Sequence, residues 1–110
     1  MSPRPGDVWL ADLGLAPKTR PVVIVFRHDP DARRALVLYV PLTTQSRASS
    51  YEVPLPRFPF LDRDSVANVQ GLGSIPTVRL ERKIGRVSSE LMAELKKALA
   101  FALDLQLLSS

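Results

Sequence analysis

The chain has no cysteine and a single histidine among its 110 residues. The first absence removes disulfides, thiolate zinc sites and cysteine nucleophiles together, and it fits a reducing cytoplasm. The second removes the paired imidazoles of a His–His ribonuclease and any multi-histidine metal centre. The one imidazole, His28, stands in the polar turn His28-Asp29-Pro30-Asp31, where a solvated loop residue is the expected role. Asp7, Asp12, Asp62 and Asp64 do not form a metal-binding spacing, and Asp62 and Asp64 are expected to solvate Arg63 between them. Neither a P-loop nor a dinucleotide glycine fingerprint is present. No cofactor is expected. The longest apolar stretch, Val22 to Phe26, is far too short to span a membrane, and Met-Ser-Pro-Arg-Pro-Gly-Asp lacks the apolar run of a signal peptide.

What is present describes one small globular domain, residues 1–110. Apolar residues make up 45% and charged residues 24%, the balance of an ordinary folded protein. A domain this short leaves much of its surface uncovered, so self-association is a natural way to bury more. The formal charge is +4, and it is uneven. Residues 1–86 carry 13 basic and 8 acidic side chains, whereas 87–110 carry 2 and 3. A basic body suits a polyanionic partner such as RNA or DNA, although charge alone is equally that of a plain basic protein.

The first two-thirds of the chain reads as strand. Val8–Leu13, Pro21–Phe26 and Leu36–Val40 are rich in Val, Ile, Leu and aromatics, with turn-formers between them. Val22–Val25 is apolar on both faces and belongs near the middle of a sheet. Tyr51–Leu55 is a weaker strand that Pro54 pushes to an edge. Val66–Gln70, Ile75–Leu80 and Lys83–Val87 supply further short strands. The period then changes. After Ser88 and Ser89, two good N-caps, Leu91, Leu95, Ala98, Leu99 and Ala102 recur at helical spacing, predicting an amphipathic helix over 89–105. Glu90 and Glu94 favour its N-terminal end, and Glu94 can pair with Lys97. Strands first and a helix last give an α+β class on a curled antiparallel sheet.

Without histidine pair, cysteine or metal, charge on a reacting phosphate must be met some other way. Arginine can do it, because its planar guanidinium binds phosphate through two parallel hydrogen bonds. Two polar clusters stand at strand ends: Lys18-Thr19-Arg20-Pro21, and Thr43-Thr44-Gln45-Ser46-Arg47. On spacing alone both read as ordinary polar turns before they read as a site. Arg79, Arg82, Lys83 and Arg86 either track phosphates or are solvated charge. Phe58 and Phe60, held by Pro56 and Pro59, either stack bases or pin their loop to the core, and the second reading is favoured. Trp9 is expected in the core.

Four segments in order, Gly6-Asp7-Val8-Trp9, Arg20-Pro21-Val22-Val23, Pro41-Leu42-Thr43-Thr44-Gln45-Ser46, and Asp64-Ser65-Val66 leading to Gln70, resemble the MazF/PemK toxins over roughly residues 5–105. The resemblance implies a small SH3-like antiparallel β-barrel (CcdB/PemK-like) with a C-terminal helix. It also implies a cytoplasmic homodimer and a cognate antitoxin whose acidic disordered tail folds onto the basic groove. The implied activity is metal-independent cleavage of single-stranded RNA (mRNA) at short sequences, as the toxin of a type II toxin–antitoxin system. By position, Arg20 and Thr43 match the family's catalytic arginine and threonine. Lys18, Thr19, Thr44, Gln45, Ser46, Arg47 and Gln70 fall where RNA is bound. The segment Gly14 to Thr19 is shorter than in many members and lacks their Glu and Gln, so the cleavage sequence does not carry over. The alternative on the same scaffold is a non-catalytic CcdB-like toxin or a nucleic-acid-binding module.

Overall fold

The computed structural model describes residues 2–14, 19–61 and 63–105. Seven strands precede one helix: β1 (Asp7–Ala11), β2 (Arg20–Ile24), β3 (Leu36–Thr43), β4 (Glu52–Pro54), β5 (Val66–Asn68), β6 (Gly73–Pro76), β7 (Leu80–Arg86) and α1 (Ser89–Ala102). The strand pairings among the described residues are all antiparallel. The sheet runs β4-β5-β3-β2-β1-β7, with β6 also paired to β3. The doubly apolar β2 lies inside it, as its pattern predicts. Among the described residues the sheet is open rather than a closed barrel, leaving β4 and β7 at its ends.

β3 organises the rest. One edge meets β2, from Val22↔Pro41 to Ile24↔Tyr39. The other edge changes partner along its length, pairing β6 over Leu36 to Tyr39 and β5 at Leu42 and Thr43. The change falls at Pro41, which has no N–H to donate. A 3-10 turn, Val69–Gly71, fills the gap. The sequence expectation of one strand over Val66–Gln70 therefore ends early, at Asn68, whose side chain accepts the Gln70 N–H at 3.1 Å. Likewise Ile75–Leu80 is divided, with β6 ending at Pro76 and a second 3-10 turn at Thr77–Arg79.

Gly71 is packed against that proline: a Cβ there would lie 2.5 Å from Cγ of Pro41, a ring atom that cannot swing away. Gly71→Ala is expected to cost about 1–2 kcal/mol, read by chemical denaturation, because the turn must shift to relieve the overlap.

Period-two alternation sorts the two faces of the sheet. Val23, Val40, Leu42, Val53 and Ala67 point to one side, where they join Met92 and Leu95 of α1 in a buried cluster. Leu91, Ala98, Leu99 and Ala102 pack around it, as the helical stripe predicts. Ser88 caps α1 by accepting the Leu91 N–H at 3.1 Å, and Glu94 and Lys97 approach to 3.7 Å. The helix ends three residues before the predicted limit, at Ala102, with Asp104 in left-handed backbone. Trp9, Ala11, Val22, Ile24, Val37 and Ile75 form a second buried cluster. No helix among the described residues is long and apolar enough to cross a membrane.

Candidate functional site

Cross-strand register places the polar residues. The β2–β3 ladder reaches Val22↔Pro41; carried two residues further, that register sets Arg20 level with Thr43. Thr43 in turn pairs with Val66 of β5, and Asn68 of β5 pairs with Glu52 of β4. Because these positions alternate with Leu42, Ala67 and Val53 of the core, they share the face turned away from α1. One surface of the sheet thus carries Arg20, Thr43, Asn68 and Glu52.

A groove of about 360 Å³ opens there, lined by Thr43, Gln45, Arg47, Ser49, Glu52, Asn68 and Gln70. Thr43 ends its strand in a tight turn, its Oγ1 accepting the Gln45 N–H at 3.1 Å. The following loop is held by Glu52. Its carboxylate accepts the Arg47 N–H at 2.9 and 3.0 Å, the Ser46 hydroxyl at 3.1 Å and the Ser49 N–H at 3.5 Å. Partial burial would push the Glu52 carboxyl up, but the donors from Arg47, Ser46, Ser49 and Ala48 outweigh it and hold the pKa below the ordinary range. The groove is therefore rich in amides and hydroxyls, with Arg47 on its lining and the Glu52 carboxylate already engaged by the Arg47 backbone N–H.

Of the residues singled out from sequence, Thr43, Gln45, Arg47 and Gln70 meet in this groove. Arg20 is exposed beside it and outside its lining, and no described carboxylate pairs with it. Thr19 is half-buried and Thr44 exposed, neither lining the groove; Ser46 turns to Glu52. Lys18 lies outside the described residues, as does Asp62. Sequence reasoning missed Ser49, Glu52 and Asn68. The alternation of Glu52-Val53-Pro54 against Val66-Ala67-Asn68 was the available signal, but three residues are too few to establish a period.

The remaining expectations sort by contact. Phe58 and Phe60 stack on each other at 4.7 Å and pack against the core, so they pin their loop. Gly85 makes room for this, since a side chain there would run into the Phe60 ring. Lys83 and Arg86 turn to Asp7, and Arg79 lies 3.8 Å from Asp12, so three of the four basic residues near β7 have carboxylate partners. Asp64 pairs with Arg57 at 3.4 Å. His28 is half-buried rather than solvated, its Nδ1 enclosed with no hydrogen-bond partner among the described residues, and it lines a cavity of about 210 Å³ with Leu36 and Val37 at the start of β3. Trp9 is 3% exposed, in the core as expected.

The model of one protein family, described as PemK-like, MazF-like toxin of type II toxin-antitoxin system, matches residues 4–103. The chain belongs to this toxin family. Endoribonuclease MazF9 of Mycobacterium tuberculosis is 33% identical to it, over 93% of this chain and 97% of the relative. The solved Mycobacterium tuberculosis toxin MazF-mt6 superposes with a TM-score of 0.81 at 30% identity, covering 92% of this chain and 99% of that one. A mycobacterial endoribonuclease in complex with its cognate antitoxin gives a TM-score of 0.83 at 27% identity, covering 96% and 99%. The MazF/PemK chain described here therefore shares the whole domain with these toxins, β1 through α1.

Proposed function

We propose that this MazF/PemK toxin is an endoribonuclease that cleaves single-stranded RNA without a metal, with Arg20 and Thr43 as the catalytic pair. The observation that carries the reading is the β2–β3 register, which continued past Val22↔Pro41 sets Arg20 level with Thr43, a residue that lines the amide-rich groove. A ribose 2′-hydroxyl attacks the adjacent phosphorus and the bond to the 5′ oxygen breaks, leaving a 2′,3′-cyclic phosphate and a 5′-hydroxyl. Arg20 neutralises charge building on the phosphoryl oxygens. Thr43 holds the phosphate or the nucleophile in line from a rigid strand end. Gln45, Arg47 and Gln70 line the path of the flanking nucleotides, with Lys18, Thr19, Thr44 and Ser46 around it.

The partners follow from chemistry. The body of the chain is basic, which suits RNA and an acidic antitoxin segment that orders on binding. The solved relative with its cognate antitoxin supports that pairing. Leu36, Leu38 and Val78 are apolar and exposed, surface that a homodimer would cover. A cytoplasmic location fits the proposed mRNA substrate.

The test is cleavage of mixed single-stranded RNA in excess EDTA, with end-group analysis. New 5′-hydroxyl ends, labelled by kinase without phosphatase, are the expected product. No cutting by the wild-type protein in EDTA, or 5′-phosphate ends, overturns the proposal.

A further inference from the structure

The loop between β3 and β4 is tied at its ends, by the Thr43 Oγ1 that accepts the Gln45 N–H and by Tyr51, which packs against the core. Between them, residues 46–50 bury no large apolar side chain, and Ala48 sits at φ +51, a left-handed conformation that costs a residue with a Cβ. Nevertheless Gln45, Arg47 and Ser49 all face one groove from it. Gln45 is set by Thr43, whereas residues 46–49 are gathered by a single carboxylate on the neighbouring strand, which takes hydrogen bonds from Ser46, Arg47 and Ser49. Glu52 is itself fixed by register, opposite Asn68, and its backbone N–H is bonded to the Ser49 carbonyl at 3.2 Å.

We propose that Glu52 is a positioning residue for RNA, clamping the 46–49 loop so that its side chains present a preformed groove beside Thr43. The proposal rests on the reading of that groove as the RNA site. A carboxylate suits this task better than an amide. It is acceptor-only at both oxygens, and the Arg47 N–H is shared between the two. A glutamine would set an NH2 group against one of these donors, so even a side chain of the same shape opens the clamp. The depressed pKa of Glu52 agrees, since donors aimed at a carboxylate stabilise its charged form. The role is one of preorganisation: ordering the loop before RNA arrives removes a conformational cost from binding. Thr43 is anchored in β3 and does not depend on the clamp, so binding and chemistry should separate.

The experiment uses the full chain and a short single-stranded RNA found to be cut by the wild-type protein. Glu52→Gln is expected to raise KM about tenfold with kcat within about threefold of wild type, and to speed amide exchange at Arg47 and Ser49. Ser46→Ala should raise KM less, and should add nothing in the Glu52→Gln background, because both act through one carboxylate. An unchanged KM with unchanged amide exchange overturns the proposal. So does a loss confined to kcat, or additive effects of the two substitutions. If the wild-type protein cuts no RNA, the reading of the groove has failed instead. Amide exchange at Arg47 and Ser49 still decides whether Glu52 holds the loop.

Discussion

Arg20→Ala is expected to lower kcat/KM for RNA cleavage by about two to three orders of magnitude while leaving stability nearly unchanged. The expectation follows from where the side chain sits. Arg20 is exposed and pairs with no described carboxylate, so its removal strands no buried charge. Surface substitutions of that kind fall within about 0.5 kcal/mol of neutral. In the proposed mechanism its guanidinium meets a phosphate whose charge grows in the transition state, and that interaction disappears with the side chain. Arg20→Lys should recover only part of the rate, because an ammonium gives a point charge in place of two parallel donors. Thr43→Ala should cost less, about tenfold to a hundredfold, and Thr43→Ser should keep most of the activity. Initial rates on a labelled RNA, alongside melting curves, decide this. An Arg20→Ala protein that cuts at the wild-type rate would remove Arg20 from the mechanism.

The largest effect on stability is expected at Asp7. This carboxylate is 3% exposed, with Arg86 Nη1 at 2.7 Å, Lys83 Nζ at 3.4 Å and the Arg4 N–H at 2.9 Å. It opens β1 opposite Arg86 and ties the N-terminal segment to the last strand. Burial by itself would raise its pKa, but the Arg4 N–H, the Lys83 charge and the Arg86 hydrogen bond together lower it below 3.8. Asp7→Asn keeps an acceptor for Arg4 but loses the charge. Lys83 and Arg86 are about half exposed, so they return to water rather than remain buried and unpaired. The expected cost is therefore about 2–3 kcal/mol, below that of breaking a fully buried pair, and a fall in Tm of roughly 8–15 °C. A carboxyl with a lowered folded pKa contributes fully above its unfolded pKa and loses that contribution as pH falls through the folded value. The gap between wild type and Asp7→Asn should thus be widest near neutrality and close below about pH 4. A gap independent of pH would show that Asp7 acts by shape alone.

Much of this architecture is legible in the sequence, and the reasons differ by element. The helix shows because Leu91, Leu95, Ala98, Leu99 and Ala102 repeat over several turns behind a serine cap. The first three strands show because each is a largely apolar run of five residues or more flanked by turn residues. β4 and β5 are three residues each, too short for alternation to register, so Glu52 and Asn68 stayed hidden although they line the groove. The partner change along β3 is a tertiary event; Pro41 hints at it, but nothing local says that a 3-10 turn fills the gap. The level placement of Arg20 and Thr43 depends on a ladder closed across more than twenty residues. Spacing leaves both as polar turns, and the resemblance to MazF/PemK toxins was what selected them.

The open ends of the sheet bear on how this protein behaves in a crowded cell. A bare strand edge invites another chain to extend the sheet, the first step toward aggregates. At one end, Pro54 closes a three-residue strand, shortening the row of free amides and removing one donor. At the other, β7 is seven residues long and carries the charged side chains Glu81, Arg82, Lys83 and Arg86, which a second copy pairing edge to edge would have to strip of water. A toxin of this family thereby keeps its exposed strands solvated, and the proline at one edge and the charge at the other discourage the molecule from extending its sheet with a second copy.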